Sequence, residues 1–239
     1  MIKAKKSTSF EIVFSVYNKR LLRRHFHRIC LMKHWDKPTN PAIFLVNHSS
    51  WWDPLVLFYL NTSFLETDAI AMMSEEGLTR FPFFRKIGAF SISQTSRKSI
   101  IRSLNYASEQ ISEGKSVFIF PQGKEIHLEK RPLSFFSGAA YLSEKHPTIP
   151  VIPITFYHSL CHYQLPEWYI TIGEAIRVPN FRNRKEGTNE FEKRMESQLD
   201  ELRVLVIEEK KDTFTTILQG KTGVSVKLEK FKQLFKRRG

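Results

Sequence analysis

Residues 41–54 read Pro41-Ala42-Ile43-Phe44-Leu45-Val46-Asn47-His48-Ser49-Ser50-Trp51-Trp52-Asp53-Pro54. An apolar run of this length, bounded by a proline and a polar cluster, predicts a short strand rather than a helix. Similar runs at residues 69–73, 87–92, 117–120, 149–156 and 168–172 predict further strands. Helical patterns lie between several of them. Ile100, Leu104, Ala107 and Ile111 form one stripe closed by Gly114, and residues 133–142 predict another helix. Strands alternating with helices predict an α/β domain with a largely buried sheet.

Outside this stretch the pattern changes at both ends. Residues 10–32 predict a basic amphipathic helix or helix pair, since Phe10, Val13, Phe14, Tyr17 and Leu21 recur at spacings of three and four. Arg20, Arg23, Arg24 and Arg28 are interleaved with them, a composition suited either to an anionic bilayer surface or to packing on the domain itself. After Pro179 a polar helix is predicted, capped by Thr188 or Asn189, with Phe191, Met195, Leu199, Leu202 and Val206 on one face. Leu228, Phe231, Leu234 and Phe235 then stand among lysines and arginines as a second basic amphipathic segment. The chain divides accordingly into a helical membrane-docking segment (1–40), an α/β core (41–180) and a helical C-terminal part with a basic tail (181–239).

Composition excludes several classes. With 41% apolar residues and 20 Phe among 239 residues, the chain has ample surface to bury, so it is not intrinsically disordered. Cys30 and Cys161 alone make no disulfide framework. No apolar run of about 18 residues predicts a membrane span, and residues 1–14 lack the apolar core of a secretory signal. Lys and Arg number 37 against 24 Asp and Glu, a formal charge of +13, which favours nucleic acid, an anionic membrane or an anionic substrate. Two Gly-Lys-Ser/Thr triplets, at Gly114 and Gly220, lack the glycine a phosphate loop needs five positions earlier. His158, Cys161 and His162 have no second cluster to complete a metal site and read as a solvated loop after a strand, so no metal is expected.

His48 remains. A histidine at the carboxyl end of a buried strand opens into the crevice where α/β sheets bind ligands. Asp53, five positions on, reaches back to it if the chain turns into a helix near Ser49. A carboxylate on one imidazole nitrogen fixes the tautomer and leaves the other to take a proton from a hydroxyl. With no accompanying Ser or Cys nucleophile, such a pair suits acyl transfer from a thioester, whose thiolate leaves readily.

His48-x4-Asp53 within Asn-His-Ser-x-x-x-Asp-Pro resembles the first block of the glycerophospholipid acyltransferases, the lysophosphatidate-type O-acyltransferases. Residues 77–93, around Pro82-Phe83-Phe84 and Gly88-Ala89-Phe90, resemble the second block. Val117-Phe118-Ile119-Phe120-Pro121-Gln122-Gly123, followed by Phe136-x-Gly138-Ala139, resembles the third, and Ile149-Pro150-Val151-Ile152-Pro153-Ile154 the fourth. The resemblance implies a mixed α/β sandwich, an amphipathic element docking it peripherally on the cytoplasmic face of a membrane, and acyl-CoA or acyl-carrier protein as donor, with no cofactor. It implies His48 as general base and Asp53 as its orienting partner. Phe120, Pro121 and Gln122 shape the pocket, Gly123 permits close backbone approach, and Lys124, Arg85 and Arg97 are candidates for anionic groups of the substrates. Trp51 and Trp52 suit the acyl channel, the membrane interface or the core.

The third block departs from the family's Phe-Pro-Glu-Gly-Thr-Arg. Gln122 replaces the glutamate and Glu125 the arginine that clamps phosphate, while Gln94 stands where the second block commonly ends in arginine. A neutral hydroxyl acceptor, on a glycolipid or glycosylated isoprenoid, is therefore an alternative to lysophosphatidate. A non-catalytic basic protein binding lipid or nucleic acid is the alternative of another class. No RNP, zinc-finger or helix-turn-helix signature supports a nucleic-acid partner.

Overall fold

The computed structural model describes residues 1–39, 41–93, 96–176, 181, 183–221 and 223. Gln94 and the basic stretch at 224–238 lie outside the described residues. Eight strands form one sheet in the order β4-β3-β5-β2-β6-β7-β1-β8. They are β1 (Arg28–Met32), β2 (Ile43–Val46), β3 (Ala69–Ser74), β4 (Ala89–Ile92), β5 (Ser116–Ile119), β6 (Val151–Ser159), β7 (Glu167–Ile172) and β8 (Phe214–Gln219). The first five in spatial order are mutually parallel. Strand β7 runs against β6, β1 follows β7, and β8 runs against β1, so the sheet is mixed.

Helices α1 (Thr8–His25) and α2 (Asp53–Leu60) cover one face, and α4 (Arg97–Ser112), α5 (Gly138–Lys145) and α6 (Arg184–Ile207) the other, with the short α3 (Glu75–Arg80) between β3 and β4. Alternation along β2 shows why the strand reads as continuously apolar. Phe44 and Val46 pack towards α1 and α2, while Ile43 and Leu45 pack towards α4 and α5, and all four are fully buried. On the second face the stripe Leu104, Ala107 and Ile111 of α4 meets Val117 and Ile119 of β5, and Phe191, Met195 and Leu199 of α6 complete that layer.

Several elements differ from the sequence expectation. The N-terminal helix stops at His25, and Arg28–Met32, expected to be helical, is a strand held between β7 and β8. The expected apolar face of α1 is split. Phe14 and Leu22 are buried against the core, while Val13 and Tyr17 point outward with Ile12 and Val16. Residues 87–88 belong to a 3-10 helix (Pro82–Ile87) and its turn, and β4 begins only at Ala89. Residues 133–137 are not helical, because Glu196 and Glu192 accept the amides of Leu133, Ser134 and Phe135, and α5 starts at Gly138. The cap of α6 is Asn183, whose side chain accepts the amide of Glu186, and Thr188 lies inside the helix. After Ile207 the chain returns to the sheet as β8.

The N-terminal segment guards the exposed edge of β4. Ile2 exchanges hydrogen bonds with Ser91, and the amides of Lys5 and Ser7 donate to the carbonyls of Arg85 and Lys86. Among the described residues, no helix is long and apolar enough to cross a membrane.

Candidate active site

Three adjacent parallel strands, β5, β2 and β6, end at the same edge of the sheet. Asn47, the first residue past β2, is buried and continues the β2–β6 pairing with its side chain. Its Nδ2 donates to the carbonyl of Phe156 (3.0 Å) and its Oδ1 accepts the amide of Phe156 (2.7 Å). The next residue, His48, is fixed by its backbone at both ends. Its amide donates to Oε1 of Gln122 at 2.7 Å, and its carbonyl accepts the amide of Ile126 at 2.9 Å. The loop after β5 thus clasps the loop after β2.

The chain turns at Ser49–Trp52 into α2, and Asp53 folds back on that turn. Its Oδ2 lies 2.8 Å from His48 Nδ1 and accepts the amides of Ser49 (2.7 Å) and Ser50 (2.8 Å). Asp53 is fully buried at the first turn of α2, where the helix dipole favours a negative charge. A carboxylate that accepts from Nδ1 places the proton of a neutral imidazole there and leaves the Nε2 lone pair open. The His48 ring is only partly exposed and lies against Phe120, with centroids 4.5 Å apart.

Phe120 to Gly123 form a turn closed by the amide of Gly123 donating to the carbonyl of Phe120 (3.0 Å). Gly123 has φ +69°, a conformation that a side chain would strain. Pro121 and Gln122 are buried, while Lys124 and Glu125 are exposed just beyond. Phe120, Pro121, Gln122 and His48 are therefore brought together. Arg85 directs its Nε to the carbonyl of Lys3 (3.0 Å), and Arg97 stands exposed at the start of α4. Trp52 packs edge-on to Phe26, with centroids 5.1 Å apart, and Trp51 is 55% exposed.

The hydroxyls of the two serines that follow His48 are engaged with other groups. Ser49 Oγ contacts Nε2 of His158 at 3.5 Å, and Ser50 Oγ accepts the amide of Trp52 at 3.2 Å. His158 is not in a loop. It belongs to β6 and stacks on Trp168 (4.7 Å, 27°). Burial lowers its pKa, Asp53 opposes that shift, and His127 reinforces it. His158 does not stand out in the sequence as a neighbour of the His48 turn, because β6 meets β2 only through sheet order.

Cys161 and His162 lie elsewhere, beside Glu209, with candidate ligand atoms within 4.8 Å of one another and all three residues exposed. Glu209 is already engaged by His162 (2.8 Å) and Lys211 (3.0 Å), and these hold its carboxyl down to about 2. A cavity of about 270 Å3 nearby is lined by Tyr157, Tyr169, Leu205 and Phe214 on the α6 side.

Strands β5, β2 and β6, the parallel centre of the mixed sheet, present a carboxylate–imidazole pair at their carboxyl edge, an arrangement suited to acid–base chemistry. The acyltransferase family model matches residues 14–157, and the chain belongs to that family. It is an acyltransferase. Among solved structures, it is similar to PlsC, the 1-acyl-sn-glycerophosphate (LPA) acyltransferase of Thermotoga maritima. The two are 18% identical over 80% of this chain and 79% of that one, with a TM-score of 0.58, which shows a shared fold. No curated protein matches the sequence.

Proposed function

We propose that this acyltransferase moves a fatty acyl group from acyl-CoA or acyl-carrier protein to a hydroxyl of a membrane lipid of the lysophosphatidate type. The observation that carries the reading is the hydrogen bond between His48 Nδ1 and Asp53 Oδ2, made by a carboxylate that also holds the turn on which the histidine sits. Nε2 of His48 takes the proton of the acceptor hydroxyl as its oxygen attacks the thioester carbonyl. Asp53 stabilises the imidazolium that forms. The tetrahedral intermediate collapses with cleavage of the C–S bond, and the imidazolium returns its proton to the leaving thiolate. No acyl-enzyme is needed, consistent with Ser49 and Ser50 being engaged elsewhere.

Docking on the cytoplasmic face of the membrane is part of the proposal. Ile12, Val13, Val16 and Tyr17 are exposed on the first turns of α1, and Arg20, Arg23 and Arg24 are exposed on its later turns. An apolar band beside arginines suits insertion of the former among acyl chains, with the latter at the headgroups. This surface would bring a lipid acceptor to the enzyme without a membrane span.

Glu125, at the position where the resembling family clamps phosphate, favours a second reading in which the acceptor is a neutral hydroxyl of a glycolipid or glycosylated isoprenoid. Mass-spectrometric transfer assays distinguish the two, with both donors offered against lysophosphatidate, other lysophospholipids and neutral glycolipids. Acylation of lysophosphatidate supports the first reading. Acylation confined to neutral acceptors replaces it with the second.

A further inference from the structure

A cluster of ligating side chains lies on the α6 side of the sheet, away from the His48 turn. Among the described residues, Cys161 Sγ, an imidazole nitrogen of His162 and a carboxylate oxygen of Glu209 converge within 4.8 Å of one another. The first two stand in the connection between β6 and β7, and Glu209 stands between α6 and β8. In the sequence Cys161 and His162 have no further ligand beside them, and the fold supplies one from 47 residues beyond His162. All three residues also border the cavity of about 270 Å3.

Glu209 is set in place by the end of α6. The helix closes with the amide of Lys210 donating to the carbonyl of Leu205 (3.0 Å) and the amide of Glu209 donating to the carbonyl of Val206 (3.2 Å). This is the Schellman arrangement, whose left-handed residue is ordinarily glycine. Here that residue is Glu209, at φ +52°. A side chain stands there at some cost to the backbone. It reaches across to the β6–β7 connection, where Oε1 lies 2.8 Å from Nε2 of His162. The other oxygen lies 3.0 Å from Nζ of Lys211. The carboxylate is therefore ionised and held against the imidazole by a fixed turn. Cys161, next to His162, is a free and exposed thiol.

We propose that Cys161, His162 and Glu209 form a zinc site that fastens the β6–β7 connection to the end of α6, with water in the fourth position. Thiolate, imidazole and carboxylate are ordinary zinc ligands, and three of them with one open place make a tetrahedral site. The thiolate selects against magnesium and calcium, which take oxygen ligands. On binding, Cys161 gives up its thiol proton, and Nε2 of His162 exchanges the proton it shares with Glu209 for the metal. The two anionic ligands then match the charge of the ion, and Lys211 holds the outer oxygen of Glu209. Lys210 and Lys211 both border the cavity and disfavour a second cation there. The site is independent of the acyl transfer proposed for His48.

The test uses the full chain, reduced and metal-free, with Co2+ as a spectroscopic stand-in for zinc. Titration should give a single saturable site with intense tetrahedral bands and a thiolate-to-metal charge-transfer band, and excess Mg2+ should not compete. Cys30 is buried, so the charge-transfer band reports Cys161, and Cys161→Ser should remove it. His162→Gln and Glu209→Gly should each weaken Zn2+ affinity, measured by competition with Co2+, by at least about tenfold. Glycine suits the left-handed backbone at 209, so lost binding in that variant reflects the ligand and not the fold. Zn2+ should raise the unfolding midpoint of the wild type and leave that of Cys161→Ser unchanged. Affinity should rise with pH, because the thiol proton is released on binding. Octahedral spectra without a charge-transfer band overturn the inference. A band that persists at undiminished affinity in both His162→Gln and Glu209→Gly overturns it too, since the thiol then binds alone.

Discussion

The main-chain amide of His48 donates to Oε1 of Gln122 at 2.7 Å, joining the ends of β2 and β5 through a side chain that is 3% exposed. The donor is an amide, so the acceptor must be the glutamine oxygen and its orientation is settled. Gln122 thereby positions the histidine from behind without touching its ring nitrogens. Removing it in Gln122→Ala leaves the amide unpaired, at a cost of about 1–3 kcal/mol in denaturant unfolding. The displaced histidine should lower kcat/KM by about ten- to a hundredfold. Gln122→Glu keeps an acceptor oxygen in place, and steady-state kinetics should show a smaller loss.

Asp53 holds the Ser49–Ser50 amides, and the proposed mechanism gives it a second, separable task, stabilising a charged His48. Asp53→Asn retains an oxygen for the turn but removes the negative charge. Transfer should fall by about 10²–10⁴-fold while circular dichroism and solubility remain those of the wild type. A rate within about twofold of the wild type would reduce Asp53 to a structural role.

The exposed band on α1 lets the proposed membrane binding be tested apart from folding. Ile12 and Val13 are 61% and 68% exposed, so Ile12→Asp with Val13→Asp should leave the unfolding midpoint nearly unchanged. Sedimentation with anionic vesicles should show partitioning reduced by about tenfold or more. Added salt should weaken wild-type binding, because Arg20, Arg23 and Arg24 contribute through long-range attraction. Binding indifferent to both changes would remove α1 from the docking surface.

Burial lowers the pKa values of His27, His146 and His158 below the ordinary 6.5. As pH falls through that value the unfolded chain takes up protons that the folded chain resists, so stability decreases. Urea midpoints should decline from about pH 7.5 to about pH 5.5, before carboxylates contribute. A flat profile over that interval would contradict the assigned burial of these rings.

The strands that hold the site were legible because each is a short apolar run closed by polar or turn residues, as in Ile43–Val46 before Asn47-His48. Arg28–Met32 was not. Its apolar residues continue a helical spacing, and only pairing with β7 and β8, from sequence-distant segments, makes it a strand. Phe214–Gln219 carried a readable signal in Phe214, Thr215, Thr216 and Ile217, residue types that favour a pleated surface, but it sits in a polar region that reads as helix. His48 and Asp53 were found because their contact is local. Asn47 and His158 make their contacts across strands, and one-dimensional spacing carries no trace of which strand ends become neighbours.

The central claim is tested most directly by single-turnover acyl transfer with wild type and His48→Ala, using acyl-CoA or acyl-carrier protein and lysophosphatidate, with both product and free thiol quantified. The wild type should form one acylated lipid per thiol released. His48→Ala should remain folded, still bind vesicles and lose at least about 10²-fold in rate. Equal rates for the two proteins would contradict His48 as the base, whatever acceptor is used.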